Sequence, residues 1–207
     1  MKVEEIRAIA KRTYCALVHY PVRDRTGQIM TSAITNIDVH DIARSARTYG
    51  LAGYFVVTPI TAQRQIVQAI LDHWQKGAGA RRIPERKEAL ERCWPAASIE
   101  EVVQVIEATH GLPPLQVATE ARPFARETCS PEALLRLLAS AERPSLILFG
   151  TAHGLHAGVL ESADFLLEPI CGIDGYNHLS VRAAAAIVFD RLFGRWAEAA
   201  LPKAHSG

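Results

Sequence analysis

Leu146-Ile147-Leu148-Phe149-Gly150-Thr151-Ala152-His153-Gly154-Leu155 is an apolar run that stops abruptly at a glycine loop. About twenty residues later the arrangement recurs: Phe165-Leu166-Leu167 leads through Glu168-Pro169-Ile170 into Cys171-Gly172-Ile173-Asp174-Gly175-Tyr176-Asn177. A helix then opens at His178-Leu179-Ser180-Val181. Short apolar runs bounded by turn residues suit strands covered on both faces, as in a parallel sheet. Ligands of such sheets sit outside the carboxyl ends of the strands. The two glycine loops are therefore expected to form one pocket.

The chain upstream alternates in the same way. A short helical lead-in to Arg12 precedes a first strand from Tyr14 to Val22, and a polar turn at Asp24-Arg25-Thr26-Gly27-Gln28 leads to a partly extended Ile29–Ile34. A helix follows, with Asp38 as N-cap, Gly50 in the left-handed C-cap place, and Val39, Ile42, Ala43, Ala46 and Tyr49 on one face. Tyr54-Phe55-Val56-Val57-Thr58 is the second strand. Thr61 caps a further helix whose buried stripe is Ile66, Val67, Ile70, Leu71 and Trp74. Ser98-Ile99-Glu100-Glu101 is a capping box for a helix that ends at His110-Gly111. Leu115-Gln116-Val117-Ala118 is a short strand, and Ser130-Pro131-Glu132 starts the helix that feeds the opening stretch. Strands alternating with helices predict an α/β fold, a mostly parallel sheet sandwiched by helices. Residues 1–195 read as a single domain and 196–207 as a loose C-terminal tail.

Composition narrows the function classes. With a formal net charge of +1, no global field draws the chain to nucleic acid, so any such binding rests on a local patch. Such a patch runs from Lys76 to Arg92, through Arg81, Arg82, Arg86 and Lys87, and it suits either solvent or an RNA backbone. No apolar stretch reaches membrane-span length, the N-terminus lacks a signal-peptide core, and Cys15, Cys93, Cys129 and Cys171 form no Cys-x-x-Cys pair. A cytoplasmic protein with reduced thiols is expected.

The loops exclude some chemistries. No Gly-Lys-Ser/Thr follows Gly150, and no Gly-x-Gly-x-x-Gly occurs, so neither a Walker A loop nor a dinucleotide fingerprint is present. His153 and His156, with His178 as a third, lack the acidic partners and the spacings of a zinc site, and no metal is expected. Arg44 and Arg47 lie on a polar helix face, where a guanidinium is either solvated or free to meet a phosphate. The Ala183-Ala184-Ala185-Ala186 run combines high helix propensity with room for close backbone approach.

Three places resemble the SPOUT class of RNA methyltransferases, within it a bacterial family related to the tRNA guanine-N1 enzymes. They are Asn36 with Arg44-Ser45-Ala46-Arg47-Thr48-Tyr49-Gly50, the Gly150 loop, and Ile170–Gly172 continuing into Asn177-His178-Leu179-Ser180-Val181 with the alanine run. The resemblance implies a C-terminal deep trefoil knot, a homodimer, and S-adenosylmethionine as cofactor with tRNA or rRNA as substrate. It places Arg44, Asn36 and Asp174 in catalysis. It assigns the donor to Thr119, Glu120, Ala121, Phe149, Gly150, Thr151, His153, Gly154, Leu155, Ile170, Gly172, Tyr176, Asn177, His178 and Leu179. Ribose-methylating members carry a glutamate where this chain has Ala152 or His153, so the target atom stays open between base and ribose. Two other readings remain: a non-catalytic module that binds S-adenosylmethionine and RNA, and a small hydrolase using His153 and His156.

Overall fold

Apolar strands flanked by amphipathic helices assemble here into layers. The computed structural model describes residues 1–195; the expected loose tail, 196–207, lies outside them. In chain order the described elements are α1 (Val3–Ala10), β1 (Thr13–Val18), β2 (Val22–Arg23), β3 (Ile29–Met30), α2 (Asn36–Thr48), β4 (Gly53–Val57) and α3 (Thr61–Gln75). Then come α4 (Ala78–Arg82), α5 (Pro84–Leu90), β5 (Cys93–Ala96), α6 (Ile99–His110), β6 (Leu115–Thr119) and α7 (Pro131–Ala141). The last are β7 (Ser145–Gly150), α8 (Ala157–Ser162), β8 (Phe165–Leu167) and α9 (Val181–Phe189), which runs on into a π-turn at Asp190–Gly194.

Six strands pair in the order β5-β4-β1-β7-β6-β8, and every pairing is parallel. β1, β4 and nearly all of β7 are buried along their length, which is why they read as unbroken apolar runs rather than alternating ones. Two buried clusters, one on each face of the sheet, form the core. Phe149, Ile147 and Val117 point to the face covered by α2 and α9, whereas Leu148, Leu146 and Ala118 point to the face covered by α6 and α8.

Several local expectations shift. Thr35, not Asp38, is the N-cap of α2, and its hydroxyl accepts from the Asp38 amide. Asp38 sits inside the first helical turn and turns its carboxylate inward, where it is 8% exposed. Thr61 is the first residue of α3 rather than its cap, and Ile66, expected in the buried stripe, is 54% exposed while Val67 and Leu71 fill the core. The first strand ends at Val18. After it the chain turns through Tyr20-Pro21 into the β2–β3 hairpin.

Candidate functional site

The sheet order sets the carboxyl ends of β1, β7, β6 and β8 side by side, and the segments leaving them enclose a cavity of about 520 Å³. That volume lies in the usual range for a small-molecule or cofactor site. Of the residues expected to hold a donor, Thr119, Glu120, Ala121, Phe149, Gly150, Thr151, His153, Gly154, Ile170, Asn177, His178 and Leu179 line it.

Leu155, Gly172 and Tyr176 do not. Leu155 is fully buried in the core on the α6–α8 face and bridges to Val22. Gly172 lets its own loop fold back, since a Cβ there would strike the Tyr176 carbonyl. Tyr176 is 71% exposed.

The Gly150 loop owes its path to two missing side chains. A Cβ on Gly150 would collide with the Leu155 amide, and one on Gly154, at φ +104°, would come within 2.8 Å of Glu120 Oε2. The β2–β3 hairpin pins this loop from outside: the Arg23 amide donates to Gly154 O at 3.1 Å, and Arg23 Nε donates to His153 O at 2.8 Å. Arg23 Nη2 then reaches Glu120 Oε2 at 2.5 Å, while Glu120 Oε1 accepts from the Ala121 and Arg122 amides. Glu120 is therefore in the wall, but its carboxylate already holds three donors. The third loop is tied to the second by Asn177 Nδ2, which donates to Ala121 O at 2.6 Å.

The end of the cavity nearest β1 was not foreseen. His19, Ser32, Ala33, Asp38 and Arg182 line it. Arg182 Nη1 donates to Asp38 Oδ1 at 3.1 Å, Thr35 Oγ1 donates to Asp38 Oδ2 at 2.6 Å, and Arg182 Nε lies 3.6 Å from Asp41 Oδ2. Burial pushes the His19 imidazole down from 6.5 to about 4, against the opposing pull of the Asp38 charge. It is thus a neutral ring at neutral pH. Its position follows from β1 ending at Val18: His19 stands at a carboxyl end, where ligands of parallel sheets bind, whereas the sequence reading had carried the strand on to Val22.

The residues expected in catalysis lie elsewhere. Asn36 is the exposed first residue of α2, Arg44 is exposed on its outer face 4.0 Å from Asp41, and Asp174 is exposed in the third loop; none lines the cavity of the chain. His153 and His178 line the cavity, whereas His156 caps α8 through Nδ1, and among the described residues no group of three His, Cys, Asp or Glu is placed to hold a metal. No described helix is long and apolar enough to cross a membrane.

Comparison with known proteins fits this geometry. Over 184 residues the chain is 46% identical to a tRNA (guanine-N(1)-)-methyltransferase of Oleidesulfovibrio alaskensis, covering 89% of this chain but 42% of that protein. The chain thus spans less than half the length of that relative. An uncharacterized protein of Aquifex aeolicus is 40% identical, with 90% of this chain and 91% of that one aligned. Among solved structures, the SpoU methyltransferase AviRb of Streptomyces viridochromogenes superposes with a TM-score of 0.55 at 16% identity, covering 96% of this chain and 65% of that one. The TrmH/SpoU tRNA modifying enzyme of A. aeolicus superposes at 0.52 and 12% identity, covering 95% and 83%. These two share the fold. Residues 12–194 match the model of a family described as SAM-dependent RNA methyltransferase, and the chain belongs to that family of S-adenosylmethionine-dependent RNA methyltransferases.

Proposed function

We propose that the cavity binds S-adenosylmethionine and that the chain transfers its methyl group to a nucleotide of tRNA, working in the cytoplasm as a homodimer. The observation that carries this is the cavity itself. Three loops after β7, β6 and β8 close on it, and Gly150 and Gly154 let the first of them fold tightly against its own backbone and Glu120. Its charged wall suits the ligand: Asp38, Glu120 and Glu168 oppose Arg122 and Arg182, and the donor brings both a cationic sulfonium and an amino-acid zwitterion.

The bound donor supplies a methyl carbon already activated by sulfonium. What the protein adds is position. The Asn177–Ala121 bond holds the second and third loops together over the cavity, and the Arg23–Glu120 pair fixes the first loop against the second. Rigid placement of two reactants removes several kcal/mol, up to about 10, from the barrier. The acceptor must also lose a proton as its lone pair forms the new bond to carbon and the carbon–sulfur pair leaves with sulfur. In the proposed dimer, Arg44 and Asn36 act on the acceptor from the outer face of α2, and Asp174 from the exposed third loop.

The same reading includes a knot, in which the segment after β8 threads back through an earlier loop. It is supported by the return of α9 from the sheet edge to α2, through Arg182–Asp38 and through Tyr49 Oη, which donates to Asp190 Oδ1. One observation favours a second reading, a module that binds donor and RNA without turnover: Asp38 and Glu120, two of the cavity's three carboxylates, are already engaged. The test is transfer of labelled methyl from S-adenosylmethionine to total tRNA, and separately to rRNA, from cells lacking the gene. Incorporation into tRNA is expected. Donor binding with no incorporation into either RNA would favour the second reading.

A further inference from the structure

The end of the cavity nearest β1 contains a hydrogen-bond relay whose direction can be read without seeing a proton. Thr151 Oγ1 donates to Val18 O at 3.0 Å, and a backbone carbonyl can only accept. With its one proton so used, Thr151 must accept from Ser32 Oγ, 2.5 Å away. Ser32 has then spent its own proton and must accept from His19 Nδ1 at 2.8 Å. The reverse tautomer would leave two hydroxyl oxygens facing each other with no hydrogen between them. His19 therefore carries its proton on Nδ1, and Nε2 is a bare lone pair.

That lone pair has no hydrogen-bond partner among the described residues, although the ring is 1% exposed. A buried acceptor left unmade destabilises the fold. Asp38, whose charge acts on the ring, is itself an acceptor and is occupied by Arg182 and Thr35. The group that completes Nε2 must bring an N–H or O–H. Two ligands offer one: the methyl donor, through its amino groups and ribose hydroxyls, and the acceptor nucleotide. The sheet order favours the nucleotide. The three loops around the donor follow β7, β6 and β8, whereas His19 follows β1, outside that set: one strand spacing (about 5 Å) from β7 and three (about 14 Å) from β8.

We propose that Nε2 of His19 accepts a hydrogen bond from an N–H or O–H of the methyl-accepting nucleotide, and so selects an acceptor that still carries its proton. This rests on the function proposed above. His19 is a positioning and selecting residue: an acceptor already methylated at that atom has no hydrogen to offer and leaves Nε2 unmade.

The test uses the full chain, S-adenosylmethionine, and total tRNA from cells lacking the gene. His19→Phe removes the acceptor at similar volume, and His19→Gln restores one. The Phe variant is expected to lose at least tenfold in kcat/KM for RNA, with donor affinity by calorimetry within twofold of wild type, and the Gln variant to recover part of the loss. Nitrogen NMR of histidine-labelled wild type is expected to show His19 protonated at Nδ1 and bare at Nε2 at neutral pH, independent of turnover. Unchanged transfer by His19→Phe overturns the proposal, as does an Nε2–H tautomer. A donor affinity that falls in proportion to transfer overturns it too, by assigning the lone pair to the methyl donor. A wild type that binds no donor overturns the proposed function itself, and this inference with it.

Discussion

Arg23 and Glu120 form the most enclosed ion pair of the cavity wall, with side chains 18% and 4% exposed. Removing one partner of a buried pair leaves the other charged and unmatched. Arg23→Ala should therefore destabilise the fold by about 3 kcal/mol, read as a lower urea midpoint. Glu120→Gln should destabilise less, because the amide oxygen still accepts from Ala121 and Arg122, and the stranded Arg23 is the more exposed partner and keeps its bond to His153 O. His19 contributes a pH dependence with a definite sign. Its folded value of about 4 lies below the ordinary 6.5, so between these the unfolded chain binds more protons. Stability should fall by on the order of 3 kcal/mol as pH drops from about 6.5 to about 4, and level off below. Burial of His40 acts in the same direction. The same titration on His19→Gln should show a flatter profile. Residues of this kind were the hardest to read from sequence. Asp38 looked like a cap and Arg182 carried no reading, because their pairing across 144 positions is visible only once α2 and α9 meet.

At the scale of elements, the strands and helices of the sheet were legible because each is an apolar run or a 3.6-residue stripe ending at a cap. Ser98, Ser130 and Ser180 cap α6, α7 and α9 through their hydroxyls. Short elements were not. Pro95 lies inside β5, tolerated because β5 is an edge strand, and α8 has only six residues and includes Gly158. The basic α4–α5 segment shows how structure consumes apparent signal. Arg86 lies over Trp74, Lys87 reaches Glu91, and Glu88 pairs with Arg47 of α2. Arg81 and Arg82 remain exposed on α4. If they meet an RNA backbone, Arg81→Glu with Arg82→Glu should weaken RNA binding at least tenfold and flatten its salt dependence, with stability unchanged. A filter-binding salt series reads both quantities.

For the whole molecule, alternation of strand and helix implies a parallel sheet but says nothing about which strand lies beside which. The order β5-β4-β1-β7-β6-β8 depends on pairings between segments far apart in the chain, to which local periodicity is blind. The glycine loops were legible as a pocket because both leave carboxyl ends; the third wall, from His19 to Asp38, comes from the other end of the chain. Exposed Ile173, Tyr176 and Leu179, with half-buried Ala183, Ala184 and Ala186 of α9, support the proposed dimer. Sedimentation should give twice the chain mass, and Ile173→Asp with Leu179→Asp should shift it toward monomer. The central claim, that this cavity is a methyl-donor site, meets its most direct test in calorimetry with S-adenosylmethionine on wild type and on Gly150→Val. One donor bound per chain by the wild type, and at least tenfold weaker binding by a folded Gly150→Val, is the predicted result. No binding by the wild type, or equal binding by the variant, would contradict it.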